Sequence, residues 1–188
     1  MAYAKVEQLA DHLQMADASG DALLEVALDA AHNQVNEWCR RTFVEVDPDT
    51  DPTQTFTYRI DGDQVWVGDI VDVDTVEFKD GDTWVAVTEF ELEPFNAEME
   101  DRPYRELTFD RTWRGRIRVT GWFGWPRTPA AVVQAEILQA ARLHQRRNAQ
   151  FGVATVPGLD GSGMRLLAKL DADVELLLAP YRRQPVLI

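Results

Sequence analysis

Two switches in hydrophobic period, one just after residue 43 and one near residue 124, constrain the fold of this chain more than any motif it contains. Before the first switch, apolar side chains recur at helical spacing: Val6, Leu9, Ala10 and Leu13, then Leu23, Leu24, Ala27, Leu28, Ala31, Val35 and Trp38. Recurrence every three to four residues lines one side of a helix. Helices are therefore expected over residues 5–14 and 21–41, the second capped by Ser19 or Asp21 and closing with Arg40 and Arg41 at its negative dipole end. Asp47-Pro48-Asp49-Thr50-Asp51-Pro52 breaks this pattern, because proline cannot continue a helix.

The middle of the chain has period two. Phe56, Tyr58 and Ile60 alternate with Thr55, Thr57 and Arg59, the spacing of a strand with one buried face. Asp61-Gly62-Asp63 before Val65-Trp66-Val67, and Lys79-Asp80-Gly81-Asp82 before Trp84-Val85-Ala86-Val87, read as hairpin turns. Glu93-Pro94-Phe95-Asn96 and Asp101-Arg102-Pro103-Tyr104 interrupt regular structure. Strand character resumes at Leu107-Thr108-Phe109 and again from Arg116 to Phe123. Past Gly124-Trp125-Pro126-Arg127, Thr128 is placed as an N-cap and Pro129 as a first helical residue. The helix that follows is expected over 130–148, and a final one over 164–178, with Leu166, Leu167, Leu170, Val174, Leu177 and Leu178 apolar and Pro180 as its stop. The fold class is α+β: a small helical bundle of about four helices with an inserted antiparallel β-module. It divides into N-terminal helices (1–52), the β-module (53–124), C-terminal helices (125–179) and an extended tail (180–188).

Charge follows the same division. Residues 1–42 carry 3 basic and 7 acidic side chains, residues 43–112 carry 5 and 20, and residues 113–188 carry 11 and 5, for nets of −4, −15 and +6 within a total of −13. Such a balance argues against a general nucleic-acid binder, which recruits phosphates with surplus Lys and Arg. It fits two surfaces with different partners, or copies that pair head to side, or simply a solvated acidic face. The one cysteine, Cys39, excludes an intramolecular disulfide and reads as a small core residue beside Trp38. With no signal segment and no run of 18 apolar residues, a soluble chain made in the cytoplasm and not associated with membranes is expected.

Candidate chemistry is sparse. His12, His32 and His144 fall on three separate expected helices, without a cysteine partner or a nucleophile motif such as G-x-S-x-G. Gly158-Leu159-Asp160-Gly161-Ser162-Gly163 lacks the preceding strand and the lysine of a phosphate loop, so the glycine-bearing stretch with Phe151, Gly152, Gly158, Gly161 and Gly163 reads as a loop ordered on assembly. Acidic tips at Asp61/Asp63 and Asp80/Asp82 lack a twelve-residue calcium loop; as channel-facing loops they would repel DNA phosphates and let a duplex slide. Trp66, Trp84, Trp113, Trp122 and Trp125 cluster in the β-module, where large aromatics fill a core or an interface, or form a module that binds carbohydrate or protein. No enzyme activity, cofactor or metal site is expected.

The order and spacing of several short motifs carry a resemblance. They are the Tyr3-initiated first helix, the helix ending Trp38-Cys39-Arg40-Arg41 and the strand exit Val119-Thr120-Gly121-Trp122-Phe123-Gly124-Trp125-Pro126. Further on come Ala141-Arg142-Leu143-His144-Gln145-Arg146-Arg147, Phe151-Gly152-Val153 and the close Leu177-Leu178-Ala179-Pro180-Tyr181-Arg182-Arg183. Together they resemble the head-tail connector (adaptor) proteins of long-tailed bacteriophages. The resemblance implies a structural protein of the virion neck, a homo-oligomeric ring of twelve copies under the portal protein, linking the DNA-filled head to a tail-side neck or stopper protein and forming part of the DNA channel. It also implies that Tyr181, Arg182, Arg183, Val186, Leu187 and Ile188 are the portal-docking residues.

Overall fold

The computed structural model describes residues 2–15, 22–146, 153–154, 164–165 and 170–183. These form an α+β fold with four helices and a five-stranded antiparallel sheet, divided between two compact units: one made of residues 1–42 and 129–188, the other of residues 43–128.

The first unit holds helices α1 (Val6–His12), α2 (Ala22–Cys39), α3 (Ala130–Arg146) and α4 (Ala172–Leu178). Helix α3 packs against the other three. Its buried Val132, Ala135, Ile137, Ala140 and Ala141 include three alanines, which let α2 approach closely through Ala27, Leu28 and Ala31. Leu9 and Leu24 fill the space under α1.

Two helices stop earlier than their periodicity implies, and for the same reason. At α1, the Gln14 amide donates to the Asp11 carbonyl and the Met15 amide to that of Ala10; at α2, Arg40 donates to Glu37 and Arg41 to Asn36. This is the Schellman closure, with Gln14 and Arg40 both at φ 56 in the left-handed position usually given to glycine. Arg40 and Arg41 thus lie beyond the last helical residue and not within the last turn. The caps assigned to Ser19 and Asp21 lie outside the described residues.

At α3, the Thr128 hydroxyl donates to the Phe43 carbonyl at 2.9 Å, and the Pro129 carbonyl accepts the first amides of the helix, from Val132 and Val133. Pro129 is therefore the residue before the helix, not its first. The final helix is shorter than expected. Met164–Arg165 (β7) pairs antiparallel with Val153–Ala154 (β6), and α4 begins only after Asp171. Leu166 and Leu167 lie outside the described residues.

The second unit is built on two long strands, β1 (Gln54–Ile70) and β5 (Tyr104–Trp122), joined by β2 (Asp72–Asp80), β3 (Thr83–Ala86) and β4 (Phe90–Glu93). The order is β1-β5-β2-β3, with β4 also on β5. Asp61-Gly62-Asp63 is not a hairpin turn. It lies within β1, where Gly62 (φ 145) pairs with Trp113 and Gln64 already pairs with Thr108. One residue of β1 thus faces four of β5, so both strands bend here without reversing. For the same reason the two strand segments expected at Leu107 and Arg116 are a single strand. The Asp80 hairpin is observed, with Gly81 at φ 58. Ile60, Val65, Val67, Ile70, Val76, Leu107, Phe109, Ile117 and Val119 form the core of this unit.

Candidate docking surfaces

Side chains from three helices fix the root of the C-terminal tail. Asp171 caps α4 by accepting the Asp173 amide at 3.1 Å, and its second oxygen accepts Arg142 Nη1 at 3.0 Å. The Asp171 amide donates to Gln139 Oε1, and Gln139 Nε2 donates to Gln34 Oε1 at 2.6 Å. Val174 and Leu178 are fully buried beneath this polar seam. After α4 a 3-10 turn (Ala179–Tyr181) delivers the chain to the end of α2. There the Arg183 amide donates to the Cys39 carbonyl at 2.9 Å, and the Arg182 guanidinium lies 4.9 Å from the Trp38 ring centroid. An orphan carbonyl of α2 is thereby paired, and cationic groups stand at its negative end. Cys39 is fully buried below, and desolvation pushes its thiol up to about 12 despite Arg41 and Arg182. Of the expected docking residues, Tyr181, Arg182 and Arg183 stand together here; Val186, Leu187 and Ile188 lie outside the described residues. So do Phe151, Gly152, Gly158, Gly161 and Gly163.

A buried polar relay in the same unit was missed by sequence reasoning. Glu136 is fully buried on α3. Its Oε2 accepts the Ala4 amide at 2.5 Å, and its Oε1 lies 3.0 Å from His32 Nδ1. The Tyr3 hydroxyl donates to Asn36 Oδ1 at 2.6 Å, which turns Asn36 Nδ2 toward His32 Nε2 at 2.9 Å. Nε2 must then accept, so neutral His32 carries its proton on Nδ1 and donates it to Glu136. Tyr3 also stacks on His32, ring centroids 4.5 Å apart. Burial pushes the Glu136 carboxyl up to about 7, against the Ala4 and Tyr3 amides that favour its charged form. Burial likewise lowers His32, against Asp29. The signal was present in the sequence: Val132, Glu136 and Ala140 share one helix side, so a carboxylate sits in an apolar stripe. The relay holds the N-terminal segment on α2 and α3. His12 and His144 take no part in it.

In the sheet unit the four acidic residues do not form one feature. Asp61 and Asp63 sit on the β1 bend, with Asp61 3.6 Å from the exposed Arg114, and Asp80 and Asp82 flank the β2–β3 turn. A separate cleft is lined by Asp72, Glu98, Asp101, Arg102, Tyr104 and Leu92, among others. Burial first, then Glu98 and Asp72, raises the Tyr104 hydroxyl. Among the described residues, no three His, Cys, Asp or Glu side chains group as a metal site, and no helix is long and apolar enough to cross a membrane. The tryptophans are mostly engaged. Trp125 is buried against Phe43, Trp113 contacts both the Phe78 ring and the Arg111 guanidinium, and Arg118 covers Trp84 at 4.5 Å. Trp122 Nε1 donates to the Asp51 carbonyl, while Trp66 is 44% exposed.

No family model matches this sequence, and no curated protein matches it significantly. Among solved structures the chain is similar to one in the neck of an empty gene transfer agent (GTA) particle, computed with C6 symmetry. The TM-score is 0.56 at 20% identity, covering 97% of this chain and 90% of that one. The likeness runs over both units and establishes a shared fold.

Proposed function

We propose that this chain is a structural protein of a phage-type virion neck: a connector ring that docks under the portal, links the DNA-filled head to a tail-side neck or stopper protein and encloses part of the DNA channel. The observation that carries this reading is the full-length likeness to a neck chain of a phage-like particle. The connector-like ordering of the sequence motifs supports it. Twelve copies are compatible with the sixfold symmetry applied to that neck.

The role requires no chemistry. Burial of surface between copies and on the portal drives assembly, and a ring needs two different complementary surfaces on each subunit. The acidic middle and basic C-terminal third meet that need in charge. The docking element is the C-terminal segment, with Tyr181, Arg182 and Arg183 at its root and Val186, Leu187 and Ile188 as its apolar end. Asp61, Asp63, Asp80 and Asp82 are candidates for the channel side, where they would keep DNA from adhering.

Removal of residues 184–188 tests the docking assignment. The truncated protein is expected to keep the far-UV circular dichroism of the full chain and to lose co-sedimentation with portal-bearing, DNA-filled heads. Retained co-sedimentation would remove the tail from the docking role.

A further inference from the structure

The sheet has two open edges, and they match each other. Among the described residues β1 pairs only with β5, and β3 only with β2, so the sheet ends at β1 on one side and β3 on the other. The registers run straight across it: Tyr58, Ile117, Phe78 and Val85 form one row on the core-facing side, and Thr57, Arg118, Glu77 and Ala86 form the next row on the outer side. At both edges the core-facing row is unfinished. Phe56 remains 45% exposed and Val85 50% exposed. Long edges are normally blunted by proline, lysine or a bulge. Residues 54–60 of β1 contain no proline or lysine, and the bulge comes only at Gly62.

Direction and charge also agree. Each neighbouring pair in the order β1-β5-β2-β3 is antiparallel, so β1 and β3 run in opposite senses and a second copy can add antiparallel. Arg59 is the one charged residue of 54–60, and acidic Asp80 and Asp82 flank the β3 turn. We propose that the sheet continues from copy to copy, with β1 of one chain paired to β3 of a second copy in the register that sets Thr55 opposite Ala86, Phe56 opposite Val85, Thr57 opposite Trp84 and Arg59 opposite Asp82.

This register keeps Phe56, Tyr58, Val85 and Thr83 on the core-facing side, joins the half-exposed Phe56 and Val85, and opposes unlike charges. Sliding by two residues preserves the sidedness, but in one direction it sets Asp61 against Asp82, a like-charge pair, and in the other it moves Phe56 from Val85 to Thr83 and leaves the two exposed apolar side chains apart. A slide by one puts Phe56 on the outer face. Because the two edges differ, the contact is head-to-tail and can close into a ring. Four residues of ladder fix register and orientation, while most of the buried area of a stable interface must come from elsewhere on the chain. The inference rests on the ring reading above.

The full-length Thr55→Cys, Ala86→Cys double variant tests it. The two positions lie on opposite edges of one sheet, so they cannot bridge within a chain, and buried Cys39 contributes no background. Mild oxidation should give a ladder of disulfide-linked multimers on non-reducing gels, absent from either single variant. Arg59→Asp should weaken assembly about fivefold, with recovery when Asp82→Arg is added. Unmodified protein that forms rings in negative stain, together with a double variant that gives no ladder, overturns the edge pairing and leaves the ring reading intact. Protein that stays monomeric at every concentration overturns both.

Discussion

Glu136 shows how one residue can hide its effect on stability. Between about pH 4.5 and 6.5 an unfolded chain carries a proton on His32 and none on Glu136, whereas burial in the folded chain raises the carboxyl to about 7 and lowers the imidazole. The raised carboxyl alone would make stability fall as pH rises through this window, and the lowered imidazole alone would make it rise. The two slopes oppose, so each masks part of the other's pH dependence. Glu136→Gln removes one side. The variant is expected to lose stability on acidification below pH 6.5, with a slope of up to about 1.4 kcal/mol per pH unit relative to the parent. Urea midpoints at pH 5, 6 and 7 measure it; parallel midpoint curves for variant and parent would refute the relay's role. The relay was not legible as a unit because Tyr3, His32 and Glu136 come from three distant parts of the chain. Only the carboxylate in the apolar stripe was visible.

At the scale of elements, the types were legible and the ends were not. Helical and strand periods located α1 to α3 and the sheet, because burial of one face dictates spacing. Gln14 and Arg40 hid two helix ends by taking a backbone conformation that sequence associates with glycine. Asp61-Gly62-Asp63 carries a turn signature, yet pairing to β5 makes it a bend, a decision made by a strand some fifty residues away. The apolar spacing from Leu166 to Leu178 suggested one helix, while Asp171, an ordinary capping residue just before Val174, marks the true start. That cap also orients the tail root, since α4 leads directly to Tyr181, Arg182 and Arg183. Asp171→Ala should therefore cost about 1 kcal/mol through the lost cap and lower the thermal midpoint by several degrees. Asp171→Asn, which can still accept the Asp173 amide, should lose only part of this. Equal midpoints for Ala and parent would show that Val174 and Leu178 place the helix without the cap.

For the whole molecule, the competing terms in assembly are long-range repulsion between copies that each carry −13 and short-range attraction at their contacts. Salt separates them. The screening length is about 30 Å at 0.01 M and about 8 Å at 0.15 M, so moderate salt removes repulsion between whole subunits while charges in direct contact still interact. An exposed ion pair such as the proposed Arg59–Asp82 contact contributes only about 0.2–1 kcal/mol, and apolar burial is not weakened by added salt. The fraction of oligomer at fixed protein concentration should therefore rise from about 0.01 to 0.15 M salt and change little, or fall slightly, above it. Sedimentation velocity across that series reads the result. A steady fall from the lowest salt upward would mean that attraction between the acidic middle and the basic C-terminal third outweighs net repulsion at long range. Copies would then be drawn together by that asymmetry before any sheet edge or apolar surface meets.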